Sequence, residues 1–251
     1  YFDAPPGKAL YFQALDAEGR VLQSMRTFVQ ARPGVTRSCV GCHEPKAAAP
    51  APAAVRQSSR GKPDQIQPES WGSGYVDYAS MVQPVLDRHC VSCHGGSKGI
   101  ANGIDLSGGW TWAFNISYET LIRNTLTGFL NCNNGSVHTA KILPPRTHGS
   151  GAAPLSTLLL NGHAGRIHTL RRSERDLLMA WMDTNCNYYG TWNWTPYATC
   201  DTIHEAGSKL AGIMREANCT RCHDGTIGND WINLRTPRFS RILRAPLAKG
   251  G

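Results

Sequence analysis

The sequence has no run of about 18 apolar residues, the length a helix needs to cross a bilayer. Its longest apolar stretches, such as Leu158 to Leu160, are far shorter, so no helical membrane span is expected. Met is absent from the first position, and no signal peptide is visible at Tyr1. A targeting segment removed in maturation, or a longer parent chain, would account for that. DNA- and RNA-binding motifs are also missing. The formal net charge of +8 comes from scattered Lys and Arg, so nucleic acid is not the expected partner. Attraction to an acidic partner protein remains open. Hydrophobic residues make up 41% and charged residues 18%, ordinary values for a soluble globular chain. A length of 251 residues suggests one or two domains.

Cysteine, by contrast, is plentiful: nine residues, six of them in three copies of one pattern. These are Cys39-Val40-Gly41-Cys42-His43, Cys90-Val91-Ser92-Cys93-His94 and Cys219-Thr220-Arg221-Cys222-His223. Each reads C-x-x-C-H, the attachment site of c-type haem. Two thiols at this spacing can bond the two vinyl groups of one porphyrin, and the following His binds the iron. Zinc and a thioredoxin-like redox pair also use C-x-x-C. A thioredoxin motif needs a βαβ context, which is absent, and a zinc ribbon would use two pairs and leave one over. With nine His in 251 residues, finding one after all three pairs by chance has a probability of about 5 in 100,000, so haem is the expected cofactor. The expectation is three covalent haems, with His43, His94 and His223 as proximal iron ligands. The propionates of those haems would offset much of the positive charge.

Covalent haem attachment takes place on the non-cytoplasmic side of a membrane, so the chain is expected to be periplasmic or extracellular, where disulfides persist. Of the remaining cysteines, Cys186 and Cys200 flank an aromatic loop and are close enough in sequence to pair. That would leave Cys132 free or paired elsewhere.

Along the chain, Ala9 to Leu15 and Val21 to Val29 read as strands around the turn Asp16-Ala17-Glu18-Gly19-Arg20. A lone hairpin is marginal in water, so this one is expected to pack on something else, a part of the protein missing from this sequence being one candidate. Glu44 to Ser70 is rich in Ala, Pro, Ser and Gln and reads as a linker. Helices are expected at Tyr78 to Arg88, with Pro84 in a first turn or a kink, and at Tyr118 to Leu130, Pro154 to Leu160, Ser173 to Thr184 and His204 to Ala217. The fourth carries Ser173 and Asp176 at capping-box-like spacing and an apolar face of Leu177, Leu178 and Trp181. The expected fold class is mainly α: a small multihaem c-type cytochrome with long loops and an N-terminal β-hairpin. Three segments follow: 1–44 for the hairpin and first attachment site, 45–70 for the linker, and 71–251 for a helical region with the second and third sites.

Four stretches together carry a resemblance. They are Thr36-Arg37-Ser38-Cys39-Val40-Gly41-Cys42-His43-Glu44; Val82-Gln83-Pro84-Val85-Leu86-Asp87-Arg88-His89-Cys90; Leu178-Met179-Ala180-Trp181-Met182-Asp183 with Tyr188-Tyr189-Gly190-Thr191-Trp192; and Trp231-Ile232-Asn233-Leu234 with Ala245-Pro246-Leu247-Ala248. The chain resembles the C-terminal multihaem cytochrome region of proteins related to the hydrazine synthase alpha subunit. The resemblance implies a β-propeller ahead of this region, of which the hairpin would be the last strands. It also implies bis-His ligation of the second haem, with His163 at the matching far-side position. In hydrazine synthase itself the first haem is catalytic and a nearby Tyr takes part in its ligation. Here His43 is followed by Glu44-Pro45-Lys46-Ala47-Ala48, with no Tyr, a departure from the hydrazine synthase pattern.

Beyond the three proximal residues, six His remain: His89, His138, His148, His163, His168 and His204. For the second haem His163 is favoured, on spacing and resemblance. For the third, the alternatives are His204 and His168; for the first, His89 and His138. His148, in a Gly-rich loop, is the one expected not to ligate. Met179, Met182 and Met214 lie at core-like helical spacing, where packing is the expected role. The expected function is electron transfer between redox proteins or haem subunits, within a larger complex, a homo-oligomer or an extracellular filament. The alternative is an enzyme acting on a small nitrogen compound at a five-coordinate first haem. An electron carrier is expected ahead of a catalyst.

Overall fold

The computed structural model describes residues 1–25, 28–37, 61–95, 99–111, 113–130, 143–163, 170–195, 204–223, 231–233 and 237–247, with backbone alone for 204–208, 239 and 246. The chain divides into two compact units, each built from two separate stretches. Unit 1 comprises Tyr1–Gly74 and Asn124–Cys186; unit 2 comprises Tyr75–Arg123 and Asn187–Gly251. Composition suggests a linear division at 44 and 70, and the contacts divide the chain differently.

In unit 1 the N-terminal hairpin is present but interrupted. Strand β2 (Gln13–Leu15) pairs antiparallel with β3 (Val21–Ser24), and β1 (Ala9–Leu10) pairs with β4 (Val29–Gln30). The register shifts between Ala14 and Leu15. The turn is held by Asp16, whose Oδ1 accepts from the Glu18 and Arg20 amides at 3.0 and 2.9 Å. The later part of the Pro/Ala-rich stretch is tied to the start of the chain: the Asp64 amide donates to the Tyr1 carbonyl, and the Asp3 amide to the Asp64 carbonyl.

The hairpin packs on other residues of this same unit, as a lone hairpin requires. Val21 is fully buried, and its amide donates to Ser150 Oγ at 2.8 Å. Ser150 lies in the short helix α3 (Gly149–Ala152), which is followed by α4 (Pro154–Asn161) and α5 (Arg172–Asp183). Gly151 presses its backbone against the Val21 carbonyl so closely that a Cβ there would collide with it. The last residue of α5, Asp183, is buried. Its carboxylate accepts from the Ser150 amide at 2.7 Å and the Ser150 hydroxyl at 2.9 Å. Gln13 Nε2 reaches the Asp183 carbonyl at 2.9 Å. Burial pushes the Asp183 carboxyl up to about 6, against the lowering effect of the two Ser150 bonds.

Helix α5 starts one residue earlier than expected, so its capping pair changes. Arg171 is the N-cap residue and Glu174 is N3. The Glu174 carboxylate accepts from the Arg171 amide at 3.0 Å and pairs with its guanidinium at 2.8 Å. Ser173 and Asp176 lie inside the helix and do not cap it. Leu177, Leu178, Met179, Trp181 and Met182 are buried, as the apolar periodicity requires.

In unit 2 a π-turn over Tyr78–Val82 runs directly into α1 (Gln83–His89), with Pro84 in its first turn, where a missing amide costs nothing. Asp77 caps this run: its Oδ2 accepts from the Ser80 amide at 2.9 Å and from Arg244 at 3.3 Å. Helix α2 covers Ile116–Arg123, ending well short of the expected Leu130. The chain turns left-handed at Thr125 (φ 54°) and Gly128 (φ 65°), which ends the helix. An aromatic cluster forms the centre of this unit. Tyr188 stacks on Tyr78 at 5.6 Å and meets Phe114 and Tyr118 edge-on at 4.7 and 4.9 Å. Helix α6 (His204–Glu216) and the short α7 (Arg241–Arg244) complete the described helices.

Candidate functional site

Two of the three C-x-x-C-H motifs fall within the described residues, the second directly after a helix and the third two residues beyond one. Cys90 is the residue after α1 and closes it, its amide donating to the Leu86 carbonyl at 2.8 Å. The chain then turns sharply: the Cys93 and His94 amides both donate to the Cys90 carbonyl, at 3.0 and 2.9 Å. The third motif repeats this turn after α6, with the Cys222 and His223 amides donating to the Cys219 carbonyl at 3.2 and 3.1 Å. Asn218, left-handed at φ 61°, makes the break between helix and turn. The turn brings both thiols and the imidazole of each motif into one tight bend.

The second site has a further layer. The chain after His94 folds back, and a loop over residues 99–107 lines the turn. The Ala101 amide donates to the Cys93 carbonyl at 3.0 Å and the Leu106 amide to the His94 carbonyl at 2.6 Å. His94 Nδ1 lies 3.1 Å from the Ile104 carbonyl oxygen. A carbonyl can only accept, so this contact puts the imidazole proton on Nδ1 and leaves Nε2 as a lone pair. An iron-ligating His has that arrangement: one nitrogen held by a carbonyl, the other aimed at the metal. The residues here therefore fit a haem, with Cys90 and Cys93 for the thioether bonds and His94 for the iron. Burial, with Cys93 alongside, pushes the Cys90 thiol up to about 11, so it is a protonated thiol at neutral pH. Among the described residues, no three His, Cys, Asp or Glu side chains gather as a bare metal ion would need.

The other site residues are scattered. His89 is the last residue of α1 and half-buried, a position where a His also complements the helix dipole. His163 is exposed just beyond α4, after a break at Gly162 (φ 89°), and belongs to unit 1, whereas His94 belongs to unit 2. His204 opens α6, where only the backbone is described. Cys39, Cys42, His43, His138, His168, Cys132 and Cys200 lie outside the described residues. His148 is buried in unit 1, its Nε2 3.1 Å from Ser24 Oγ. Cys186, the other half of the expected disulfide, is buried, and burial pushes its thiol up to about 12. Met179, Met182 and Met214 are buried.

Sequence patterns missed two groups at the second site. The Ile104 carbonyl is backbone, and no residue type announces it. Gln83, on α1, is 4% exposed and donates to Leu106 in the same loop; its spacing to Asp87 is visible in the sequence, but its reach to the loop is not.

No helix of the described residues is long and apolar enough to cross a membrane. No curated protein and no solved structure matches the chain. The family model for the hydrazine synthase alpha subunit middle domain matches residues 1–44, which hold the hairpin and the first C-x-x-C-H motif, so the relation to that family is carried by this segment and not by a C-terminal multihaem region.

Proposed function

We propose that this chain is a trihaem c-type cytochrome that passes electrons between redox proteins or haem subunits outside the cytoplasm. The observation that carries the proposal is the second site, where a C-x-x-C-H turn holds both thiols and one imidazole with its Nδ1 proton committed to Ile104. When bound, haem supplies an iron that changes oxidation state by one electron without needing a substrate. The protein's residues do the rest. Cys90 and Cys93 fix the macrocycle covalently, and the Ile104 carbonyl sets the tautomer and aim of His94. Cys219, Cys222 and His223 repeat the turn, and Cys39, Cys42 and His43 repeat the motif. Three attachment motifs on one chain of this size give a relay rather than a single centre. The fold class that goes with this is a mainly α cytochrome with long loops. The proposal extends to His163, His204, His89, His138 and His168 as the pool of far-side ligands, to a Cys186–Cys200 disulfide, and to assembly as a homo-oligomer or filament.

The match over residues 1–44 favours a second reading. In it, the first site is five-coordinate and acts on a small nitrogen compound. Spectra of protein matured in a host with haem-attachment machinery separate the two. Low-spin signals unchanged by nitric oxide, hydroxylamine or cyanide support electron transfer. A high-spin signal that shifts with those ligands supports catalysis. A protein without a Soret band would overturn both.

A further inference from the structure

The amide of Gln83 stands at the centre of a buried network that ends on the iron ligand of the second site. Its side chain is 4% exposed, so each of its polar atoms needs a protein partner. Nε2 donates to Asp87 Oδ1 at 2.9 Å and to the Leu106 carbonyl at 3.1 Å. Oε1 accepts from Ser117 Oγ, which in turn accepts from the Tyr78 hydroxyl at 2.8 Å. Both Nε2 protons and the oxygen are thereby used. Leu106 returns the connection to the motif: its amide donates to the His94 carbonyl at 2.6 Å. Two residues earlier, the Ile104 carbonyl faces His94 Nδ1. The loop also sits tightly against the motif. A Cβ at Gly95 would come within 3.2 Å of Ser107 Cβ and 3.3 Å of Asp105 Oδ1, so the fit depends on glycine there. Gln83 thus joins the helix that ends at Cys90 to the loop that holds His94.

We infer that Gln83 is a positioning residue for His94, holding the Ile104 carbonyl against Nδ1 and so setting the donor strength of the iron ligand. The inference rests on the haem binding proposed above. Donation from Nδ1 to a carbonyl raises the basicity of the imidazole, which favours ferric over ferrous iron and lowers the potential. Loosening the loop weakens that bond and raises the potential of the second haem alone.

The test uses the mature holoprotein and the variants Gln83→Met, Gln83→Glu and Ser117→Ala. Intact mass first counts haems in each. Spectroelectrochemical titration then gives the three midpoint potentials, and NMR of the reduced protein gives the exchange rate of the His94 Nδ1 proton. Gln83→Met is expected to move one potential upward, leave two in place and speed exchange of that proton. Gln83→Glu keeps the acceptor for Ser117 but loses at least one of the two donors, so it should speed exchange of the His94 Nδ1 proton as Gln83→Met does. Ser117→Ala removes one support of Gln83 and should move the same potential less. Three haems with three unchanged potentials in Gln83→Met would overturn the inference while leaving the haem proposal intact. A wild-type protein without haem on Cys90 and Cys93 would overturn the haem proposal itself. If Gln83→Met matures with fewer than three haems, Ser117→Ala decides: a shift supports the inference and no shift rejects it.

Discussion

In unit 1 the side chain that ties sheet to helices is a carboxylate, Asp183, received by the amide and hydroxyl of Ser150. In unit 2 the buried links are mostly uncharged. Gln83, Asn115, Ser117, Tyr78 and Tyr188 bond to one another and to backbone. Among the described residues of unit 2, Asp77 pairs with Arg244 at 3.3 Å where it caps a helix run. The difference has a physical consequence. A lone buried carboxylate makes a unit's stability depend on pH, because burial penalises its charged form. Neutral amides and hydroxyls do not titrate, so the bond from Gln83 to the Leu106 carbonyl in unit 2 carries no charge of its own, although Gln83 also donates to the Asp87 carboxylate. Among the described residues, the side-chain links of unit 2 are thus mostly neutral ones, whereas the link between sheet and helices in unit 1 is a carboxylate.

Substitutions can break that comparison. The largest effect is expected for Tyr188→Ala, which empties the centre of the aromatic cluster and orphans Asn115 Oδ1. A loss of about 4 kcal/mol is expected, measurable by denaturant unfolding. It should fall on unit 2, as loss of aromatic near-ultraviolet signal.

The pH dependence of unit 1 comes next. Asp183 is raised in the folded state from 3.8 to about 6. Between those values the folded chain holds a proton that the unfolded chain has lost, so stability falls as pH rises through this window. The expected loss is about 2 kcal/mol from pH 4 to pH 6, seen as a falling denaturation midpoint for unit 1. Asp183→Asn should flatten that slope. A slope unchanged in Asp183→Asn would show that another group carries it.

Ser150→Ala removes the hydroxyl that accepts from Val21 and donates to Asp183. It should cost about 2 kcal/mol and move the Asp183 transition to higher pH, which sharpens the comparison by linking sheet and carboxylate. The smallest effect is expected for Glu174→Ala, which removes the acceptor of the Arg171 amide at the start of α5. About 1 kcal/mol is expected, measured by denaturant unfolding.

Local features of this chain were legible in its sequence because they depend on neighbours in the chain. The three C-x-x-C-H motifs are read from five residues each. The helices ending at His89, Asn161, Asp183 and Glu216 follow from apolar spacing and from Pro at a first turn. Two helix ends differ from the sequence expectation for physical reasons. Thr125 adopts a left-handed backbone that threonine rarely takes, so nothing in the sequence signals the end of α2 there. At α5 the capping carboxylate belongs to Glu174 while Arg171, a residue type with no acceptor, occupies the N-cap.

Long-range features were not legible. The Val21 amide and the Ser150 hydroxyl are 129 residues apart in the chain, and the hairpin belongs to unit 1 through such contacts. A periodicity cannot reveal them. The candidate site divides in the same way. Cys90, Cys93 and His94 announce themselves, whereas the Ile104 carbonyl that orients His94 is a backbone atom supplied by a loop ten residues on.

The most direct measurement is the intact mass of the denatured protein after expression with haem-attachment machinery, repeated for the pairs Cys39→Ala with Cys42→Ala, Cys90→Ala with Cys93→Ala, and Cys219→Ala with Cys222→Ala. The account expects the unsubstituted chain to carry the added mass of three haems, and each double variant to carry two. A chain with no covalent haem, or a double variant that still carries three, would contradict it.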